Sequence, residues 1–156
     1  MIYIGVDPGS KSGAYAIIRI VPEREDDVRV YAWDDGLFIE EMRGMAALAQ
    51  EFPEKCVACV EKVGAMPKQG ISSTWVFAEN FGYIQGVLHA LNIPFQLVPP
   101  RVWKKEFSLT SDKSKSVEIC HRLFPGVKLK RTEKSSKDDN NLAEALLMAE
   151  YGRRHF

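Results

Sequence analysis

The N-terminal segment IYIGVDPGSKSGAYAII, residues 2–18, carries the clearest structural signal of the chain. It contains an apolar β-rich run that ends at Asp7, a Pro-Gly-Ser turn at residues 8–10, and a second β-rich run from Gly13. A carboxylate held at a strand end beside a glycine-containing turn can bind a metal ion or face a phosphate. Further acids brought to the same point by the fold would make it a metal site.

Length and composition indicate one α/β domain, residues 1–156, since 46% of the 156 residues are hydrophobic and about 100–200 residues is the usual domain size. The chain has no run of roughly 18 apolar residues and no basic-then-apolar leader, so we expect no membrane span and a cytoplasmic location. An odd number of cysteines, three, is typical of a reducing compartment. Cys56 and Cys59 are interpreted as strand residues, with a zinc or redox pair as the alternative.

The charges are unevenly distributed, although the net charge is zero. Residues 101–137 contain eleven Lys and Arg against four Asp and Glu, which gives this stretch +7 and the remainder of the chain −7. A local basic field of this kind is expected for a polyanion partner such as nucleic acid. The alternative is an ordinary solvated face.

Hydrophobic periodicity predicts a central sheet that begins with a three-stranded antiparallel meander. The predicted strands are 2–7, 13–21, 28–34, 56–60 and 94–98. Apolar residues at helical spacing predict the flanking helices. These are 38–52, a helix through 77–88, one near 102–107, 111–123 and 140–151, with Gly152 as the expected stop of the last.

Three acids stand at corresponding points of these elements. Asp7 ends the first strand, Glu61 ends the fourth, and Glu144 lies in the first turns of the last helix, behind Asp138 and Asp139. If the first and fourth strands are neighbours, their carboxylates meet at one edge of the sheet with Glu144 opposite. Such acids repel one another unless cations neutralise them. The pattern therefore predicts an Mg²⁺ or Mn²⁺ site suited to phosphodiester hydrolysis.

Five segments spread over nearly the whole chain carry a family resemblance. They are IGVDPGSKSGAYAI, VEKVGAMPKQGISS, IPFQLVPPRVWKK, DKSKSVEICHRLFP and DDNNLAEALLMAEYGRR. In this order they resemble the RuvC-like Holliday junction resolvases of the short phage and prophage type, within the RNase H-like superfamily. The resemblance implies an RNase H-like fold with a central mixed five-stranded sheet, three antiparallel strands and then two parallel, flanked by helices. It also implies a Mg²⁺-dependent endodeoxyribonuclease, with Asp7, Glu61 and Glu144 as catalytic metal ligands, that resolves four-way or branched DNA by paired symmetric nicks.

The resemblance implies one more metal ligand just before Glu144. Family members place Asp or His three or four residues before the final acid, where this chain has Asn141 and Asn140. We therefore predict Asp139 as the fourth catalytic ligand. Because five residues correspond to ~140° around an ideal helix, Asp139 reaches the cleft only if it precedes the first regular turn.

Lysines near the predicted cleft are expected to bind DNA phosphates, which sets affinity more than sequence choice. They are Lys11, Lys68, Lys104, Lys105, Lys113 and Lys115. In the loop after Glu61, Met66, Pro67 and Gln69 can wedge into a branch point, with a mobile loop as the alternative.

The helix after this loop carries more apolar surface than one sheet face requires, including Trp75, Phe81 and Tyr83. We predict a homodimer, which the resemblance also implies, because two symmetric cuts in a four-way junction require two sites related by a two-fold axis. The alternative is a plain core helix. Trp103 and Phe107 are assigned to the core.

Two other functions stay open. An actin-like phosphotransferase would hold nucleotide phosphate with residues 7–10 and bind ATP saturably, although the chain lacks the length for two such domains. A catalytically weak or inactive branched-DNA-binding protein is suggested by Asn140 and Asn141, because Asn brings no charge to a metal. It would bind junctions in Mg²⁺ without cutting them.

Overall fold

The computed structural model describes residues 1–9, 12–34, 40, 42–44, 47, 56–65, 70–110, 112 and 114–156. Within them, the strands are β1 (Ile2–Asp7), β2 (Ser12–Arg19), β3 (Asp27–Asp34), β4 (Cys56–Glu61) and β5 (Phe95–Val98). The helices are α1 (Ile71–Ala90), α2 (Pro100–Glu106), α3 (Ser114–Leu123) and α4 (Asn140–His155). Of the helix predicted at 38–52, residues 40, 42–44 and 47 are helical, and the remainder lies outside the described residues.

The strands form one mixed sheet in the order β3-β2-β1-β4-β5. β1 pairs antiparallel with β2, and β2 with β3, whereas β1 pairs parallel with β4, and β4 with β5. Parallel neighbours require crossover connections, and α1 provides the one between β4 and β5. The predicted arrangement of three antiparallel and then two parallel strands is confirmed, and the first and fourth strands are neighbours.

One face of the sheet is covered by α1. Side chains of a strand alternate between the two faces, and Ile2, Ile4 and Val6 of β1 pack in one core with Ile84 and Leu88 of α1. Among the described helices, α1 with its 20 residues included, none is both long and apolar enough to cross a membrane.

The opposite face of the sheet packs against α4, which is buried along most of its length. Gly5 in the middle of β1 makes this packing close, because a Cβ at that position would collide with backbone atoms of Ala145 and Ala149. A strand glycine of this kind marks a close approach of two backbones. The contact brings the first turns of α4, including Glu144, beside the end of β1.

Gly152 does not end α4, so the predicted stop is wrong. The helix continues to His155, and the carboxylate of buried Glu150 pairs with Arg153 at 2.6 Å and with Arg154 at 2.8 Å. Such i,i+3 and i,i+4 pairs stabilise a helical turn. They hold the last turn in spite of the low helix propensity of glycine.

Cys56 and Cys59 both lie in β4, which confirms their interpretation as strand residues. Residues three apart in a strand point to opposite faces; Cys59 packs in the core with α4 and Cys56 against the core with α1. Burial raises the pKa of the Cys59 thiol to about 12. The two thiols therefore face apart and do not form a shared metal or redox site.

Candidate active site

Asp7 and Glu61 come to the same edge of the sheet because β1 and β4 are parallel neighbours. The register pairs Val6 with Val60, so the two acids follow one position later. By alternation, Asp7 lies on the face of Gly5, which is the face that contacts α4. The predicted convergence of the two strand-end carboxylates therefore follows from the observed register.

The pKa of the Asp7 carboxyl is raised well above its ordinary value. Burial, with the added charges of Glu61 and Glu144, raises its pKa from the ordinary 3.8 to about 7, against the opposing effects of the Gly9 backbone and Lys104. A carboxyl that is half protonated near neutral pH needs more positive charge nearby to ionise fully. Perturbed acids in such a group are typical of functional sites, and the three predicted acids interact here.

Glu61 is held by a tryptophan. The indole Nε1 of Trp103 donates to Oε1 of Glu61 at 3.2 Å, and the Trp103 side chain is fully buried. Burial raises the pKa of Glu61 above its ordinary 4.5; Lys104 and the indole hydrogen bond oppose this, and Glu144 adds to it. Trp103 is a core residue as predicted, and it also orients Glu61. A buried indole usually has a hydrogen-bond acceptor. The assignment of Trp103 to the core was therefore a signal that it would have a polar partner.

Lys104 lies inside the acidic group. Its Nζ is 2.9 Å from Oε2 of Glu144 and 5.0 Å from the centre of the Trp103 ring. Lys104 was predicted from the sequence to contact DNA phosphates, and in the structure its ammonium lies beside the carboxylates. Within the described residues, one lysine against three acids leaves this edge with a net negative charge.

Asp139 is the N-cap of α4. Its Oδ1 accepts hydrogen bonds from the backbone N–H of Asn141 at 2.8 Å and of Leu142 at 3.3 Å, and its Oδ2 pairs with Arg131 at 3.4 Å. Asp139 thus precedes the first regular turn, as its predicted role requires, but its oxygens are engaged. An Asp before a helix is a common N-cap, so the cap was readable from the sequence. Its role as a metal ligand stays a prediction.

Asn140 and Asn141 occupy the first turn of α4 and are half-buried. Residues three and four positions apart lie on the same side of a helix, so both are neighbours of Glu144. They bring amide groups to the place where the resemblance implies a carboxylate or an imidazole.

Of the other five lysines predicted to bind DNA, two are among the described residues and three are not. Lys105 and Lys115 are exposed, and Lys115 lines a cleft of about 340 Å³ together with Arg122 and Arg154. Three predicted lysines and the three predicted wedge residues lie outside the described residues: Lys11, Lys68, Lys113, Met66, Pro67 and Gln69.

Helix α1 buries one side and exposes the other. Ile84 and Leu88 are fully buried, whereas Ile71, Trp75 and Tyr83 are 90%, 72% and 37% exposed. Exposed apolar groups concentrated on one element mark an interaction surface. The apolar surface of this helix is therefore larger than its sheet contact uses.

Asn80 of α1 was not predicted as a site residue from the sequence. Its Nδ2 donates to the carbonyl oxygens of Pro8 at 2.8 Å and of Gly9 at 3.0 Å. These contacts join residues 72 and 71 positions apart, and no local pattern predicts a contact of that range.

The acidic group has the chemistry of a site for a hard divalent cation, because Mg²⁺ and Mn²⁺ prefer carboxylate oxygens. In the conformation of the described residues, no three His, Cys, Asp or Glu side chains stand close enough to hold an ion. Lys104 instead occupies one oxygen of Glu144. The donor types and the uncompensated charge fit a divalent cation, which would compete with Lys104 for Glu144.

No protein-family model matches the chain, and no curated protein matches it in sequence. Solved structures do match. Thermus thermophilus RuvC in complex with a Holliday junction substrate is 15% identical, with a TM-score of 0.64 over 99% of this chain and 97% of that one. A second Thermus thermophilus RuvC structure is 12% identical, with a TM-score of 0.62 over 99% and 96%. The yeast mitochondrial Holliday junction resolvase Ydc2 is 15% identical, with a TM-score of 0.51 over 94% and 75%. The chain therefore has the RNase H-like fold of the RuvC-like resolvases.

Proposed function

We propose that this protein is a structure-selective DNA endonuclease that resolves four-way or branched junctions by Mg²⁺-dependent phosphodiester hydrolysis with paired symmetric nicks. The observation that carries the proposal is the acidic group at the ends of β1 and β4 and the start of α4, in which the pKa of Asp7 is about 7. The fold supports it, since Thermus thermophilus RuvC was solved with a Holliday junction substrate. Because a fold alone does not determine a function, the charge arrangement is the stronger argument.

Asp7, Glu61 and Glu144 would hold the metal, with Asp139 as the fourth ligand predicted from the sequence. When bound, Mg²⁺, or Mn²⁺ in its place, supplies an activated water and stabilises charge on the leaving 3′ oxygen. The three acids lie on separate elements, β1, β4 and α4. The fold therefore sets the spacing of the ligands more than any single loop does.

The surrounding side chains prepare these acids for the reaction. Trp103 keeps Glu61 oriented through its indole hydrogen bond, and Asp7 must release its proton to solvent before its carboxylate can act as a ligand. Lys104 partly neutralises the group while it pairs with Glu144. If Glu144 bound the metal in place of Lys104, the ammonium would be free to donate to a phosphate oxygen of the DNA.

Exposed basic residues would hold the arms of the junction. Lys105 and Lys115 are exposed, and Lys11, Lys68 and Lys113 are proposed from their sequence positions. Each phosphate contact releases counterions and so contributes to the salt dependence of binding without adding sequence information.

A homodimer through the exposed side of α1 would provide two active sites. The exposed Ile71 and Trp75 supply apolar surface for a second copy, and a two-fold axis would match the two symmetric cuts. A single site would have to release the junction and rebind it between cuts.

The setting that we propose is the cytoplasm of a bacterium, where an enzyme of the phage or prophage type meets branched DNA. The three cysteines are free, and Cys59 and Cys120 are buried. Reduced thiols are usual in the cytosol.

A second candidate is a branched-DNA-binding protein with weak or no cleavage. It is favoured by Asn140 and Asn141, which stand beside Glu144 in the first turn of α4. An amide ligand lowers metal affinity because it carries no charge. The variants Asn141→Asp and Asn140→Asp separate the two candidates, because they add a carboxylate to the same turn.

The test is incubation of the purified protein with a labelled synthetic four-way junction and a linear duplex of the same sequence. Mg²⁺, Mn²⁺ or a chelator is added, and products are resolved on native and denaturing gels. We expect paired symmetric nicks that are confined to the junction and abolished by the chelator. Junction binding without nicks, with cleavage gained in Asn141→Asp, would establish the second candidate. Equal affinity for junction and duplex would contradict both.

A further inference from the structure

Asn80 connects helix α1 to the turn that follows Asp7. Its amide Nδ2 donates to the carbonyl oxygens of both Pro8 and Gly9, at 2.8 and 3.0 Å. The side chain is half-buried and lies on the sheet side of α1, four positions before buried Ile84. Two hydrogen bonds from one amide fix the orientation of the turn as well as its position.

The peptide unit between Pro8 and Gly9 links Asn80 to Asp7. A trans peptide is planar, and its C=O and N–H point in opposite directions. The Pro8 carbonyl of this unit accepts from Asn80. Pro8 directly follows Asp7 in the chain, and the Gly9 backbone lowers the pKa of the Asp7 carboxyl. A rotation of this one peptide would therefore break the Asn80 contact and move the backbone that directly follows Asp7.

Gly9 adopts a backbone conformation that residues with a side chain rarely adopt. Gly9 has a φ of 51°, and a Cβ at that position would collide with the Ser12 carbonyl. Glycine permits this conformation but does not favour it over others, because it has the widest conformational freedom of any residue. The two hydrogen bonds from Asn80 come from outside the turn and favour the observed conformation.

We propose that Asn80 is a positioning residue, which aims the Asp7 carboxylate by clamping the Pro8–Gly9 peptide from helix α1. The inference rests on the proposed function and extends it to a residue outside the acidic group. The clamp comes from the helix whose opposite side carries exposed Ile71 and Trp75. Helix α1 thus carries the proposed subunit contact and also contacts the turn beside the proposed metal ligand.

The test compares three variants with the wild-type full-length chain. Asn80→Ala removes the amide, and Asn80→Asp keeps its shape but replaces the donor with an acceptor. Gln85→Ala is the matched control, since the Gln85 amide donates at 3.2 Å to the Phe81 carbonyl within α1 itself. Each protein is assayed for single-turnover junction cleavage, for junction affinity in chelator, and for hydrogen exchange of the backbone around Gly9.

We expect both Asn80 variants to cleave about 10-fold to 100-fold more slowly, because a shift of about 1 Å in a positioned group costs up to that factor. Junction affinity should stay within about 2-fold of wild type, an estimate that treats substrate binding as independent of Asp7. Exchange at Gly9 should be faster, and Gln85→Ala should match wild type throughout.

Wild-type cleavage and wild-type exchange in Asn80→Ala would overturn the inference. Equal losses in cleavage and affinity would also overturn it, because they would indicate a general folding role. If the wild-type protein binds the junction but does not cut it, the proposed nuclease function fails on its own. Exchange at Gly9 then still decides whether Asn80 holds the turn.

Discussion

The two ends of helix α4 differ in how the charges of their acidic side chains are compensated. At the C-terminal end, Glu150 is 1% exposed and is paired with both Arg153 and Arg154. At the N-terminal end, Lys104 forms an ion pair with Glu144 and also lowers the pKa values of Asp7 and Glu61, so one cation serves three acids. Burying an ionised acid is costly unless cations compensate it. Glu150, which has only a structural role, is neutralised by two arginines. Asp7, Glu61 and Glu144 have one lysine among them, and such a deficit of positive charge is typical of a cation-binding site.

The largest effect that we expect is on cleavage, and it should separate the two ends. Asp7→Asn and Glu61→Gln each remove a proposed metal ligand and should slow junction cleavage on the order of 10³-fold, equal to about 4 kcal/mol of transition-state stabilisation. Glu150→Gln should retain cleavage when assayed well below its unfolding temperature. Cleavage by Asp7→Asn at the wild-type rate would break the comparison.

Neighbouring lysines provide the next test. Lys104→Ala removes the ammonium beside Glu144 and should slow cleavage about 10-fold to 100-fold. Lys105→Ala removes an exposed neighbour and should instead weaken junction binding, lowering the slope of affinity against salt by about 1. The measurements are single-turnover rates and affinities at several salt concentrations. Equal effects of the two substitutions would mean that Lys104 is an ordinary phosphate contact.

Removing a negative charge should change the free energy of unfolding in opposite directions at the two ends of α4. Glu150→Gln removes the buried carboxylate that Arg153 and Arg154 share, while Asp26 and Glu106 remain beside them. It should destabilise the protein by about 1–3 kcal/mol in urea unfolding. Asp7→Asn removes a carboxyl that is costly to ionise in the folded state, and it should stabilise the metal-free protein at pH 8. Destabilisation by Asp7→Asn at that pH would contradict the proposed charge deficit.

The pH dependence of this stabilisation has a definite sign. Since the folded-state pKa of Asp7 is about 7 and the ordinary value is 3.8, the folded state holds its proton between these values while the unfolded state has lost it. Wild-type stability relative to Asp7→Asn should therefore fall as pH rises from about 4 to about 7 and then level off. We expect this stability difference to change by about 1–3 kcal/mol over that pH range. A pKa shift is equivalent to roughly 1.4 kcal/mol per unit, and the expected change is smaller than this conversion gives because the carboxyl stays partly accessible to water. Unfolding in chelator at three pH values measures it.

Much of the fold was predictable because its signals are local. Strand alternation and the glycine, proline and charged turns indicated the five strands, and parallel pairing of β1 with β4 then brings Asp7 and Glu61 together. Glu144 was predictable because it lies in the first turns of a long helix. The strand-end and helix-start positions of these acids carry the information.

The parts that were missed depend on packing between distant segments. Trp103 and Lys104 reach the acids only because α2 packs beside α4, and neither contact is encoded by spacing within α2. The stop predicted at Gly152 was wrong because propensity competes with the Glu150 ion pairs, which the residue alone does not reveal. Asn80 belongs to the same class, since its partners lie in another part of the chain.

We expect the uncompensated acids at the N-terminal end of α4 to bind a divalent cation. Calorimetric titration of Mn²⁺ into the wild-type protein and Asp7→Asn, at pH 6 and pH 8, tests this binding. We predict saturable binding by wild type that is stronger at pH 8, because Asp7 must lose its proton first, and loss of that binding in Asp7→Asn. Mn²⁺ binding that is unchanged in Asp7→Asn, or no binding by wild type at either pH, would contradict the account.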